Sequence, residues 1–176
     1  NDFQIEINSH TATHVDAPAH FIFGGRKIGD YPQGELEFLA PEAIEARKMP
    51  GEWVELADFE EKVKNKDADC LIIITGFFER MGSDEYRPQN PGIAPDAIAW
   101  ARKNMKNLRS IGIDSISISS QNNSMRGREA HRIAFEENAG LSKPLLLIEG
   151  MNLKLIVKRQ LKRLYLLPWF GGEADS

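Results

Sequence analysis

Cys70-Leu71-Ile72-Ile73-Ile74-Thr75 runs apolar without a polar residue on alternate positions. A strand with one face in water alternates, so an unbroken β-branched run of this length belongs to a strand covered on both faces. Strands of that kind sit in parallel or mixed sheets flanked by other elements. Upstream, Leu56, Phe59 and Val63 recur at helical spacing and predict a helix over 57–66. Downstream, Pro95 in a first-turn position opens a predicted helix over 95–105. Ile111, Ile113, Ile116 and Ile118 mark a strand over 111–119, followed by a helix over 128–138, a buried strand over 145–148 and a helix over 153–161. A strand over 164–170 ends the pattern, and alternating Phe3, Ile5 and Ile7 open it with another. Residues 42–47 fit a short helix or a strand equally well. Helices alternating with buried strands predict an α/β protein with a parallel or mixed sheet.

The composition agrees with an ordinary globular chain. It has 176 residues, 41% hydrophobic and 27% charged, with a net charge of −4. At roughly 150 residues per domain this predicts a single domain spanning 1–176. The negative balance supplies no basic footprint for nucleic acid or anionic lipid. Apolar runs such as 71–74 and 145–148 fall far short of the ~18 residues of a membrane span, so no membrane partner is expected. The single cysteine, Cys70, excludes an intramolecular disulfide and a multi-cysteine zinc site. No signal-peptide pattern is visible and a cytoplasmic location is expected. The chain begins at Asn1 without methionine and ends on a polar tail, so the natural protein is expected to extend beyond one or both ends.

Chemistry concentrates near the N-terminus. Three of the four histidines lie within Ser9-His10-Thr11-Ala12-Thr13-His14-Val15-Asp16-Ala17-Pro18-Ala19-His20. The segment is β-branched and holds Pro18, so it should be extended, and equal parity then puts His10, His14, Asp16 and His20 on one face. Positions 14 and 16 lie about 6.6 Å apart along a strand, close enough to share an ion with bonds of about 2 Å. Positions 10 and 14 would stand about 13 Å apart in a straight strand, so either the chain bends near Ala12 or the two histidines serve different ions. Imidazole and carboxylate donors suit Zn²⁺ or Mn²⁺ alike. The expectation is a divalent metal site.

The same stretch resembles the H-x-G-T-H-x-D-x-P-x-H signature of the metal-dependent cyclase/hydrolase family, which includes bacterial-type kynurenine formamidases (arylformamidases) and isatin hydrolases. Further segments resemble that family's pattern: Asp67 to Gly76, Pro91-Gly92-Ile93-Ala94-Pro95, Ile111 to Ile118, His131-Arg132-Ile133, Ile148-Glu149-Gly150-Met151-Asn152-Leu153, and Tyr165 to Phe170. The resemblance implies a swivelling β/β/α fold, a compact α/β domain with a barrel-like mixed sheet flanked by helices, assembled as a homodimer or homotetramer. It implies metal ligation by His10, His14 and Asp16, completed by His131 and Glu149, with one or two ions per site and Zn²⁺ favoured over Mn²⁺. His20 would be the catalytic acid/base. Three departures stand out. Ala12 replaces the usual glycine, Ser119-Ser120-Gln121 replaces an acidic strand end, and His131 and Glu149 are eighteen residues apart, which leaves Glu136 or Glu137 as competitors for the last ligand position.

The implied reaction is metal-dependent hydrolysis of a C–N amide bond, on N-formylkynurenine for a formamidase or a lactam for an isatin-hydrolase-like member. A cyclase using the same ion and an inactive binding member are the other readings. Proton delivery to a leaving nitrogen suits a histidine near neutral pH, and His20 lies beyond Pro18 on the shared face. Phe21, Phe23 and Phe77 are candidates to wall the substrate, with core packing the equal alternative. Trp100 reads as core. Asp114 either orients a ligand histidine or serves the strand end. Arg126 and Arg128 could meet a substrate carboxylate, although a solvated surface also fits them. Residues 158–162 read as a solvated helix face.

Overall fold

The computed structural model describes residues 2, 4 and 6–168. The expected strand at Phe3 and Ile5 and the far end of the strand expected over 164–170 lie outside the described residues. The strands are β1 (His14–Asp16), β2 (Glu37–Phe38), β3 (Pro41–Glu45), β4 (Trp53–Val54), β5 (Cys70–Ile74), β6 (Gly92–Ile93), β7 (Ser110–Ile113), β8 (Leu146–Glu149) and β9 (Leu164–Tyr165). The α-helices are α1 (Leu56–Phe59), α2 (Pro95–Asn104) and α3 (Ser124–Phe135). Of residues 42–47, ambiguous in sequence, 42–45 belong to strand β3 and 46–47 lie beyond its end.

β5 occupies the interior of a five-stranded sheet ordered β1-β8-β7-β5-β3. β3, β5, β7 and β8 are parallel and β1 runs antiparallel to β8. The apolar run of β5 is explained by its two neighbours and two covers. Leu71, Ile73, Ile111, Ile113 and Leu147 face Ile98 and Ala101 of α2 and Ala130 and Ala134 of α3. Cys70, Ile72, Ile74, Leu146 and Ile148 face a cover built from Ile28, Leu36, Phe38, Leu153 and Leu166. One cover is helical and the other irregular. Two small ribbons, β2 with β9 and β4 with β6, complete the mixed α/β architecture.

Several expected elements end early, for identifiable reasons. The helix expected over 57–66 is only α1, because the Glu42 carboxylate accepts from the amides of Lys64 and Asn65 (2.8 and 3.1 Å) and draws the chain back towards β3. Phe59 and Val63 are buried all the same. The helix expected over 153–161 is a series of turns, interrupted by Lys158 at φ +60°. Its helix-like spacing serves a lid, since Leu153, Ile156, Val157 and Leu161 lie against the second face of the sheet. The strand expected over 111–119 stops at Ile113, beyond which Asp114 bonds sideways and Ser115 accepts from Gly150 N–H (2.7 Å). α3 starts four residues earlier than expected, where the Asn123 side chain accepts from Arg126 N–H (3.1 Å). Its C-terminal carbonyls are gathered by the buried Arg102 of α2, which donates to Ile133, Glu136 and Ser142. No helix among the described residues is long and apolar enough to cross a membrane.

Candidate metal centre

The centre grows from the pairing of β1 with β8. In that antiparallel register His14 lies opposite Glu149, and Asp16 opposite Leu147. Ahead of β1 the chain turns at Ala12, whose φ is +58°. This left-handed geometry costs an alanine about 1–2 kcal/mol. The bend folds His10 back over the strand, so that the His10 and His14 rings lie 5.2 Å apart between centroids. A straight strand could not achieve this. Gly150, at φ +64°, passes so close beneath that an added Cβ would collide with the Ala12 carbonyl oxygen. Thr13 Oγ1 donates to Gly150 C=O (2.7 Å) and ties the two turns together. After β1, Pro18 opens a single 3-10 turn, Pro18–His20, that returns His20 to the same place. The histidines therefore share a face through two bends, and the extended conformation expected for the whole segment holds only for β1.

Two sets of donors result, and both include Asp16. His10, Asp16 and His20 form one, and His14, Asp16 and Glu149 the other, each with its ligand atoms within 4.8 Å of one another. His14 Nε2 is 3.5 Å from both Asp16 Oδ1 and Glu149 Oε2. His10 Nδ1 is 3.0 Å from Asp16 Oδ1, and His20 Nε2 is 3.7 Å from Asp16 Oδ2. His131 Nε2, from α3, is 3.6 Å from Glu149 Oε1 and 4.0 Å from Asp16 Oδ2. Donors bound at about 2.0–2.2 Å to one tetrahedral ion stand roughly 3.4 Å from each other. His10 and Asp16 are within hydrogen-bond distance of each other, whereas the separations of 3.5–4.0 Å around His14, His20 and His131 are long for hydrogen bonds and suit donors that share a cation. Imidazole nitrogens and carboxylate oxygens without a thiolate make a borderline-hard donor set, which suits a divalent ion.

The inner donors are held from behind. His14 Nδ1 lies 2.9 Å from Ala12 C=O, so the proton belongs on Nδ1 and the Nε2 lone pair faces the carboxylates. His131 Nδ1 is likewise 3.0 Å from Gly127 C=O and 3.0 Å from Ser119 Oγ. Glu149 Oε1 accepts from Ile118 N–H (2.7 Å) and Ser117 Oγ (3.1 Å). These contacts fix ring and carboxylate orientation before any ion arrives. Burial disfavours the charged form of His14, but Glu149, the Ala12 carbonyl and Asp16 outweigh it and lift its pKa to about 8. The same balance raises His131. Burial also opposes ionisation of Glu149, yet His131, His14 and the Ile118 amide override it and lower its pKa to about 2.

All six residues line one open cavity of about 590 Å³. His14, Asp16, His131 and Glu149 are buried at its floor, while His10 and His20 keep just over a quarter of their side chains exposed at its rim. Glu149, not Glu136 or Glu137, is the acidic residue beside His131. The Glu136 carboxylate is paired with Arg132, and neither glutamate lines the cavity. Phe21 lines the cavity and stacks on His131 at 5.1 Å. Two expected wall residues lie elsewhere. Phe23 is fully solvent-exposed at the Gly24-Gly25 turn and does not line the cavity. Phe77 is buried against Tyr86 at 5.7 Å, because Asp114 gathers the amides around it and turns the chain inward. Trp100 packs edge-on against Phe59 at the core, as expected. Asp114 meets no histidine, and its carboxylate is spent on Thr75 and Gly76. Arg126 is drawn away by Glu55 (2.8 Å), whereas Arg128 lines the cavity.

The sequence reading missed the residues that hold the donors. Asn90 is the hub, since its Nδ2 donates to Ser115 Oγ (3.1 Å) and to the carbonyls of Ser117 (3.2 Å) and Ser119 (2.5 Å). It thereby shapes the loop from which Ser117, Ile118 and Ser119 reach Glu149 and His131. A polar residue just before Pro91 offers no sequence signal of such a role.

Comparison with known proteins places this arrangement. The family model for Cyclase, described as "Putative cyclase", matches residues 2–120. An uncharacterized protein of Methanocaldococcus jannaschii is 30% identical over 151 residues, covering 85% of this chain and 63% of the relative. The chain thus spans under two thirds of that relative's length. An uncharacterized protein of Haemophilus influenzae is 28% identical over 121 residues, covering 64% of this chain and 82% of the relative. Among solved structures, isatin hydrolase A from Labrenzia aggregata superposes with a TM-score of 0.77 at 19% identity, over 98% of this chain and 72% of that one. A potential metal-dependent hydrolase with cyclase activity superposes with a TM-score of 0.72 at 22% identity, over 97% of this chain and 77% of that one. The match of residues 2–120, which carries the histidine segment, together with the shared α/β fold, makes this chain a member of the Cyclase family.

Proposed function

We propose that the protein is a metal-dependent hydrolase of a C–N amide bond, acting on an aryl formamide of the N-formylkynurenine type. The observation that carries this reading is the pair of donor sets sharing Asp16 on a cavity floor. His10, His14, Asp16, His131 and Glu149 would hold one or two divalent ions, Zn²⁺ or Mn²⁺. A bound ion of this kind polarises a carbonyl and makes a water nucleophilic at neutral pH. Asp16, which belongs to both donor sets, would contribute to whichever of them holds an ion. Glu149 and His14 present their free atoms already oriented, so ordering them costs little on binding. His20, at the rim and outside the set that contains Glu149, is placed to give a proton to the leaving nitrogen. Phe21, stacked on His131, offers an aromatic face to an aryl group.

Lactam opening is the second reading, favoured by the close superposition with isatin hydrolase A over nearly the whole chain. Both readings are tested by metal analysis of protein purified without added metal, followed by turnover of N-formylkynurenine and of isatin before and after chelation. Chelator-sensitive formamide turnover supports the first reading, and turnover of isatin alone supports the second. Bound metal with neither activity would sink both. His20→Ala should lower turnover by about 10²–10⁴-fold with metal content intact. Loss of metal from that variant would make His20 a ligand, a role its place beside His10 and Asp16 also allows.

A further inference from the structure

The cavity that holds the histidines is also lined by arginines that pair with no acidic side chain among the described residues. The chain has eleven arginines. Among the described residues, seven pair with an acidic side chain: Arg26, Arg47, Arg80, Arg109, Arg126, Arg132 and Arg163. Arg102 is spent on backbone carbonyls. Of the remaining three, Arg87 and Arg128 both line the cavity that holds the candidate metal centre. Both are exposed, and neither has an acidic partner among the described residues, so their guanidinium groups are available to a ligand in the cavity. Arg128 lies one helical turn before His131 on α3, so it shares that face of the helix and faces the same space.

A second, independent feature points to a ligand. Ser120 lines the same cavity and is 1% exposed, yet its Oγ has no hydrogen-bond partner among the described residues. A buried hydroxyl left unpaired is a cost to the fold that a bound acceptor removes. Electrostatics favours an anion as that acceptor. Arg87 and Arg128 balance Asp16 and Glu149 one for one, so the cavity carries no net negative charge to repel an anion even with no ion on its floor.

We propose that Arg87, Arg128 and Ser120 form a carboxylate-binding subsite, so that the substrate is an amide that also carries a carboxylate. Guanidinium groups suit a carboxylate because their N–H donors match its two oxygens, and the serine hydroxyl supplies one more donor. The substrate-class part of this proposal rests on the hydrolase reading, whereas the anion subsite itself does not.

Two experiments separate these parts. The first is calorimetric titration of benzoate into metal-free protein, where no ion competes for the carboxylate. Binding is expected, weakened at least tenfold in R87A/R128A and several-fold in S120A, with benzamide binding no better to the parent than to the variants. Equal benzoate affinity in parent and double variant would overturn the subsite, and so would no binding to the parent. The second compares kcat/KM of the metal-loaded enzyme for N-formylanthranilate and formanilide, which differ by one ortho carboxylate. The acid should be preferred at least tenfold, and R87A/R128A should erase most of that ratio, with R87K/R128K restoring part of it. Equal kcat/KM for the two would overturn the assignment of substrate class. Turnover of neither compound would count against the hydrolase reading, and the benzoate titration would still decide the subsite.

Discussion

Asp114 and Glu149 make an instructive pair. Each follows or ends a central parallel strand, β7 or β8, and each is buried to within 2% of its surface. Burial raises the pKa of both, but the outcomes are opposite. Asp114 takes hydrogen bonds from Thr75 N–H (3.0 Å), Thr75 Oγ1 (2.5 Å) and Gly76 N–H (2.8 Å), and still has a raised pKa because burial outweighs these neutral donors. Glu149 has two neutral donors behind it and two imidazoles in front, and its pKa is lowered. Neutral dipoles can staple a carboxylate into a core, whereas cationic neighbours make it a group that waits for positive charge. The first is a structural clamp between β5 and β7. The second is equipped to be a ligand.

Breaking the pair should show this division. Glu149→Gln keeps the acceptor for Ser117 and Ile118 and removes the charge, so divalent-metal affinity should fall by roughly 100-fold or more, read by competition with a chromogenic chelator. Unfolding of the metal-free variant should change little above about pH 9, where His14 has lost the proton that this carboxylate favours, and should be less costly than in the parent near neutral pH. Asp114→Asn sets an amide donor against the amides of Thr75 and Gly76, and should cost about 2–4 kcal/mol in urea unfolding of the metal-free protein. The folded fraction should bind metal with the parent's stoichiometry. An Asp114→Asn protein of normal stability that fails to bind metal would reverse the two roles.

The pH dependence sharpens the contrast. His14 holds a proton below a pKa of about 8 in the metal-free fold, and an ion must displace it. Metal affinity should therefore fall by up to about tenfold per pH unit as pH drops from 8 towards 6, with proton release measurable by titration in buffers of different ionisation enthalpy. The stability of the metal-free protein has the opposite slope. His14 is raised above its unfolded value of 6.5, so its contribution is complete below that pH and is lost as pH rises through about 8. The smallest effect belongs to the support behind Glu149. Ser117→Ala removes one of two donors to Oε1 and should weaken metal binding about tenfold without altering its stoichiometry. No change would mean that the Ile118 amide alone fixes the carboxylate.

Short-range pattern carried the part of this protein that could be read before the fold was known. The unbroken run at Cys70 to Ile74 could only be a strand covered on both faces, and β5 is one. Pro95 opens α2 because its ring pre-sets the first helical turn. Three histidines and an aspartate within eleven residues announce a shared site without any knowledge of the fold. The need for a bend near Ala12 followed from strand length alone, and the bend lies there. Local pattern also misled where long-range bonds won, as at Lys64 and Asn65, whose amides Glu42 takes from a helix. Only the tertiary structure could separate Glu149 from Glu136 and Glu137, because that choice depends on β8 pairing with β1 and on Arg132 occupying Glu136. It alone sent Phe77 and Phe23 away from the cavity, kept Phe21 there, and brought Asn90, Arg87 and Arg128 to one wall. Spacing along a chain records which side chains can meet within one element, and contacts between elements far apart in sequence leave no such record.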